Sequence, residues 1–168
     1  IRYIGVSNFS GEQHREAAAH GPINSSQPRY NMLFRGAEDA VLPACIELGI
    51  GVIAHSPLAK GILTGKYKPG HQFPVDDERS DHFVFREGRA DRAWEIVPAL
   101  QTWAADHGHD LVQLAIAWTL AHPSMASCIA GAKTVEQVLH NASAADWQLS
   151  ESEMLELEDI LAPVNLGA

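Results

Sequence analysis

The chain has 168 residues, with 12 Lys and Arg against 21 Asp and Glu, a formal charge of −9. That length suits one domain with a real core, and 46% hydrophobic with 20% charged residues excludes a disordered chain. The net acidity argues against a nucleic-acid binder, which carries a basic stripe. No apolar run approaches the roughly 18 residues a membrane helix needs, and no charged segment followed by an apolar one opens the chain as a signal peptide would. Two cysteines, Cys45 and Cys128, are too few for a disulfide framework and read as small core residues in a reducing compartment, the cytoplasm.

Four short apolar runs predict strands over Tyr3–Ser7, Ile23–Pro28, Gly51–His55 and Ser127–Ala130. The stretches between the first three have helical length and pattern, so the chain reads as βα units around a parallel sheet. Because Ile1 to Val6 already looks like an interior strand, the natural N-terminus is expected to lie upstream. Ser10-Gly11-Glu12-Gln13 predicts a helix start in which Ser and Gln cap each other's backbone N–H groups. Asp110 with Gln113, Thr134 with Gln137, and Ser150 with Glu153 repeat the arrangement. Gly49 suits the left-handed residue that closes a helix. Leu111, Leu114, Ala115 and Trp118 share one helical face, as do Val135, Val138, Leu139 and Ala142. Pro123 stops the first of these two helices near His122.

Residues 69–89 break the pattern. The segment is rich in Pro, Gly, His and Asp, and it reads either as a functional lid or as a mobile surface insertion. Gly49-Ile50-Gly51-Val52-Ile53-Ala54 matches G-x-G-x-x-A in form, but its glycines end a helix and precede a strand. A dinucleotide turn needs the reverse order. His107-Gly108-His109 lacks a third ligand at a fixed spacing and reads as a solvated turn rather than a metal site. Trp94, Trp103 and Trp118 read as packing residues, and Trp147 as a staple between two helices.

Polar residues gather at the strand ends. Ser7-Asn8 follows the first strand, Gln27 closes the second, His55-Ser56 closes the third, and Gly131-Ala132-Lys133-Thr134 follows the fourth. In a parallel β/α architecture the C-terminal strand ends converge on the ligand site. Lys133 and the helix opening at Thr134 together attract an anion such as a phosphate.

These segments resemble the aldo-keto reductases over nearly the whole chain. Ile4-Gly5-Val6-Ser7-Asn8-Phe9-Ser10 is similar to the family's G-V-S-N-F, and Gln27-Pro28-Arg29-Tyr30-Asn31 to its Q-x-x-Y-N. Ser56-Pro57-Leu58-Ala59 with Gly61-Ile62-Leu63-Thr64-Gly65-Lys66-Tyr67 resembles S-P-L-x-x-G-x-L-T-G-K-Y. Ile129-Ala130-Gly131-Ala132-Lys133 with Gln137 and Asn141 resembles I-P-G-A-[RK]-x-x-x-Q-x-x-x-N.

The resemblance implies an α/β fold, the C-terminal half (strands five to eight) of a (β/α)8 TIM barrel, with residues 1–168 forming one partial domain. It implies NADPH as cofactor and reduction of a small carbonyl substrate, an aldehyde or ketone, by hydride transfer. By matching position, Ser7, Asn8 and Gln27 would hold the carboxamide, and His55 stands where the family has a Tyr stacked on the nicotinamide. Ser56, Leu58, Gly61, Leu63 and Lys66 would line the pyrophosphate path. Gly131, Lys133, Gln137 and Asn141 would surround the adenosine and its 2′-phosphate. His140 stands where an acidic residue often precedes the Asn. The family's catalytic Asp, Tyr, Lys and His come from the first four strands, so no catalytic residue is assigned here. The expected partner is the N-terminal half-barrel. The alternative reading is a non-catalytic NADP(H)-binding or half-barrel interaction module.

Overall fold

In the computed structural model, which describes residues 1–164, 166 and 167, the side chain of Glu87 excepted, strands β1 (Gly5–Ser7), β2 (Ser25–Gln27), β3 (Gly51–His55) and β4 (Met125–Ile129) form one sheet in the order β1-β2-β3-β4. Every pairing is parallel. Helices α1 (Gly11–His20) and α2 (Ala37–Leu48) follow the first two strands. Helices α3 (Arg89–Asp106) and α4 (Leu111–Leu120) lie between β3 and β4, and α5 (Val135–Ser143) and α6 (Glu151–Leu161) follow β4.

The first two strands are shorter than the sequence predicts, because side chains take over part of the ladder. The Ile4 N–H donates to Asn24 Oδ1 at 3.0 Å, while the Asn24 N–H donates to the Ile4 carbonyl at 2.7 Å. The fourth strand starts two residues earlier than predicted. A turn in which the Met125 N–H donates to the His122 carbonyl at 2.9 Å launches it, and a bulge opposite Val52 and Ile53 absorbs one residue of β4.

Local signals at the helix ends account for the boundaries. The reciprocal caps of Ser10 with Gln13, Asp110 with Gln113, and Ser150 with Glu153 are all complete. Thr134 caps only one way. Its hydroxyl accepts from the Gln137 N–H, but the Gln137 side chain turns back to accept from the Lys133 N–H at 2.7 Å. Gly49 closes α2 at φ 67°, as its freedom from Cβ crowding allows. Gly11 lets α1 and α2 meet, since a Cβ there would lie 2.6 Å from the Ala40 carbonyl oxygen.

Alternation divides the sheet into two faces. Ser26, Val52 and Ala54 are buried toward the helices, in a core with Met32, Leu42, Leu63, Leu114, Trp118 and Leu157. Ser7, Gln27, Ile53 and His55 occupy the opposite face and are less buried. Helix α4 is buried nearly all round, Thr119 included, so its core extends beyond the single face read from the sequence. Helix α5 has the predicted apolar stripe but no cover on it. Val135, Val138 and Leu139 are 70%, 56% and 66% exposed, and β4, the strand before α5, pairs only with β3 among the described residues. At the other edge Tyr3 and Ile4 are also exposed.

The helix side of the sheet holds one buried polar chain. His14 on α1 donates from Nδ1 to the Ser10 carbonyl at 2.8 Å. That fixes Nε2 as the acceptor of the Ser26 hydroxyl, also at 2.8 Å. Ser26 is in turn hydrogen-bonded to Cys45 on α2. Both cysteines are free, and burial pushes both thiols above their ordinary range.

The His107–His109 turn is exposed at His107 and Gly108, as the sequence suggests, and its two imidazoles stack on tryptophans. His107 stacks on Trp103 with ring centres 3.8 Å apart, and His109 stacks on Trp147 at 4.0 Å. Trp147 thus ties the α5–α6 connection to the α3–α4 turn.

Candidate functional site

The polar residues predicted at the strand ends form three groups. The first joins β1, β2 and β3. The Ser7 hydroxyl donates to the Gln27 carbonyl at 2.9 Å, and the Asn8 N–H reaches the same carbonyl at 3.3 Å. His55 bridges Asn8 and Ser56, with Nε2 3.1 Å from Asn8 Oδ1 and Nδ1 3.0 Å from Ser56 Oγ. Burial lowers the imidazole pKa, and the cations of Arg29 and Lys60 lower it further. His55 is therefore neutral at pH 7, with one ring nitrogen donating and the other accepting.

Asn8 and Ser56 are held at φ 56° and 59°, a left-handed conformation rarely taken by residues other than glycine. Strain of this kind persists where neighbours over-determine it. Asn31 does so for Ser56. It is fully buried and donates to the Ser56 carbonyl at 2.7 Å, while its Oδ1 accepts from the N–H groups of Leu33 and Phe34.

The second group is the turn after β3. Ala59, Lys60, Gly61 and Gly65 all have positive φ, coiling the backbone tightly through Leu58 and Leu63 toward Lys66. A Cβ on Gly61 would lie 3.0 Å from the Tyr67 ring. Leu63 is fully buried in the core, so it offers a ligand only its backbone. The third group opens α5. Gln137 holds the Lys133 N–H, Asn141 donates to the Gly131 carbonyl at 3.4 Å, and Lys133 is exposed. His140 faces away from this loop, onto Asp110 at 2.8 Å.

Segment 69–89 is tied down at several points. Asp77 binds the Arg79 guanidinium at 2.6 Å, Arg79 lies over the rings of Phe73 and Tyr67 at 4.3 and 5.2 Å, and Lys60 binds Glu78 at 2.8 Å. Hydrogen bonds from the Arg79 side chain and backbone, with a smaller contribution from Lys133, hold the Asp77 carboxyl far below the usual carboxylate range. A depressed folded-state pKa makes the clamp fully effective above the unfolded value near 4, and the clamp weakens only as pH falls through the lower folded value. Amide exchange in 69–89 is therefore expected to stay slow at about pH 5. Asp77→Asn should speed it at neutral pH while α4 stays protected. Exchange mass spectrometry showing equal protection in both proteins would remove the clamp from this account.

A cavity beside the first group is lined by Arg29, Asn31, His55, Ser56, Lys60 and His82, among others. Nothing in the sequence alone marks Arg29, Lys60 or His82 as lining it. Arg29 lies within Gln27–Asn31, two residues beyond Gln27 and hence on the same strand face, but no spacing rule marks it. Among the described residues no cluster of His, Cys, Asp and Glu could hold a metal, and no helix is long and apolar enough to cross a membrane.

The sequence profile described as the Aldo/keto reductase family matches residues 1–162. The chain is 32% identical over 162 residues to Aldo-keto reductase YhdN of Bacillus subtilis, covering 96% of the chain and 49% of that protein. It is 31% identical over 157 residues to Aldo-keto reductase str7 of Strobilurus tenacellus, covering 92% and 47%. Among solved structures it superposes on a glycerol dehydrogenase, AKR11B4 from Gluconobacter oxydans, with a TM-score of 0.87 at 30% identity, over 96% of the chain and 49% of that structure. The chain belongs to the aldo/keto reductase family. It spans about half the length of the curated relatives it matches, and its four parallel strands match part of the family's barrel.

Proposed function

We propose that this chain is the NADPH-binding half, strands five to eight, of an aldo-keto reductase that reduces small aldehydes or ketones. The observation that carries the reading is the linked set of Ser7, Asn8, Gln27 and His55 on the uncovered sheet face at the strand ends. Amide and hydroxyl groups there can pair with both ends of a carboxamide and fix which ring face is presented. The cradle fits the cofactor in one further respect. Lys133 stands exposed at the start of α5, where helix dipole and charge favour an anion.

In this reading NADPH supplies the hydride when bound. Ser7, Asn8 and Gln27 orient the nicotinamide, and neutral His55 braces Asn8 rather than lying free as a stacking ring. Ser56 through Lys66 follow the diphosphate, and Lys133, Gln137 and Asn141 shape the adenosine end, with Gln137 and Asn141 acting by pinning residues 131–133.

Cofactor choice tests the reading. In the intact barrel, Lys133→Ala is expected to weaken NADPH binding about tenfold to a hundredfold, as for a hydrogen bond to a charged group, and to leave NADH nearly unchanged. Calorimetry showing equal losses for the two cofactors would reject the 2′-phosphate role of Lys133.

A further inference from the structure

Among the described side chains, Arg29 is a half-buried cation with no acidic partner. Its guanidinium carbon lies 4.2 Å from the centre of the Phe34 ring and 5.3 Å from that of Phe83. No hydrogen bond or ion pair to its side chain occurs among the described residues. In the segment that carries His82, Glu78 is paired with Lys60 and Asp77 with Arg79. Burial lowers the pKa of Arg29, the direction expected for a charge denied full hydration. Ring stacking offsets part of that cost but occupies only the faces of the guanidinium. Its in-plane N–H fork stays available, in a cavity of about 280 Å³ shared with His55, Ser56, Lys60 and His82. A planar fork matches two oxygens of a carboxylate or phosphate.

The position of the cavity narrows the source of those oxygens. Arg29 pairs with His55 across the sheet, one step beyond the rungs that carry Ser7 and Gln27. His55 is bonded to Asn8, so the cavity adjoins the carboxamide set rather than the α5 end of the site.

We propose that Arg29 anchors an oxyanion site and that the intact reductase takes carbonyl substrates bearing a carboxylate or phosphate group. The proposal rests on the cofactor reading above for its place beside the reacting carbon. The anion itself is tested separately. In the intact barrel, this chain joined to its upstream half, inorganic phosphate should shift the Arg29 Nε–H resonance saturably in the millimolar range. A shift that only grows linearly with phosphate would overturn the site, whether or not NADPH binds. Failure of NADPH to bind while phosphate saturates would sink the cofactor reading alone.

Kinetics then separates the two sources of an anion. The kcat/KM for 6-oxohexanoate should exceed that for hexanal by about tenfold or more, the scale of one charge-assisted hydrogen bond. Arg29→Met should collapse that ratio, and Arg29→Lys, which keeps the charge without the fork, should retain part of it. If Arg29→Met instead weakens NADPH and leaves the ratio intact, the anion is the cofactor's own diphosphate and the substrate assignment is wrong. No preference for the acid in the unaltered protein is equally fatal to it. Should Arg29→Met fail to fold for want of its ring contacts, the Arg29→Lys ratio decides alone.

Discussion

The 168-residue chain by itself is expected to reduce no carbonyl compound with NADPH, and to regain both activity and a cooperative fold when the preceding half-barrel is supplied. The chemistry and the packing give this result independently. A positioned general acid contributes about a hundred- to ten-thousandfold to such a reaction, and the proposed reading puts that acid on strands outside this chain. Edge strands β1 and β4 each have one partner among the described residues, which leaves rows of N–H and C=O groups open to other chains. Beside them Tyr3, Ile4, Ile129, Val135, Val138 and Leu139 expose apolar surface. Unpaired edges next to apolar surface favour self-association. Sedimentation should find the lone chain associated or expanded, and its equimolar mixture with the upstream half compact. A monomer with a sharp thermal transition that ignores the added half would show that the four strands suffice. Turnover by the lone chain that disappears on changing one of its own His or Tyr residues would overturn the half-barrel reading outright.

His14→Ala is expected to destabilise the assembled barrel by about 3 to 5 kcal/mol. The imidazole is fully buried and satisfied at both nitrogens. Truncation leaves the Ser26 hydroxyl without its acceptor, a penalty of about 1 to 3 kcal/mol. It also leaves a void the size of a ring, and large-to-small core changes typically cost about 2 to 5 kcal/mol. The two terms overlap because the neighbours relax. Since Ser26 precedes Gln27 on β2, the same change should weaken NADPH binding through lost strand register. His14→Gln, which can still accept from Ser26, should recover part of both losses. Denaturant unfolding that places His14→Ala within about 1 kcal/mol of the parent, the range of an ordinary substitution, would show that Ser26 finds another partner.

The helix starts were legible because each is written in four consecutive residues. Ser10 with Gln13 and Asp110 with Gln113 need nothing from the rest of the chain. The order of the strand-end polar residues was legible for the same reason, and the motif resemblance rests on it. Two features escaped because they depend on distant parts. The stripe of α5 reads as a core face, and its periodicity cannot say that the described residues leave it exposed. Arg29 shows no pattern at all. Its significance comes from Phe34 and Phe83 closing on it and from acids that pair elsewhere. Three-residue strands also carry too little alternation to say which residues point where, and only the burial of Ser26, Val52 and Ala54 settles it.

That settled alternation gives the sheet a simple arithmetic. In β1, β2 and β3 the even-numbered residues, Val6, Ser26, Val52 and Ala54, belong to the helix side. The odd-numbered ones, Ser7, Gln27, Ile53 and His55, with Arg29 one step on, belong to the opposite side, where the proposed reading puts the ligand. In β4 the bulge resets the count: Val52 faces Met125 before it, while after it Ile53 faces Ser127 and His55 faces Ile129. On the proposed reading, variation at odd positions therefore alters what is recognised before it alters the packing, and variation at even positions tests the packing first. A lineage can explore new substrates along one parity without reopening the problem of folding. Arg29 sits on that parity yet leans on Phe34 of the core, so it is where the two kinds of variation meet.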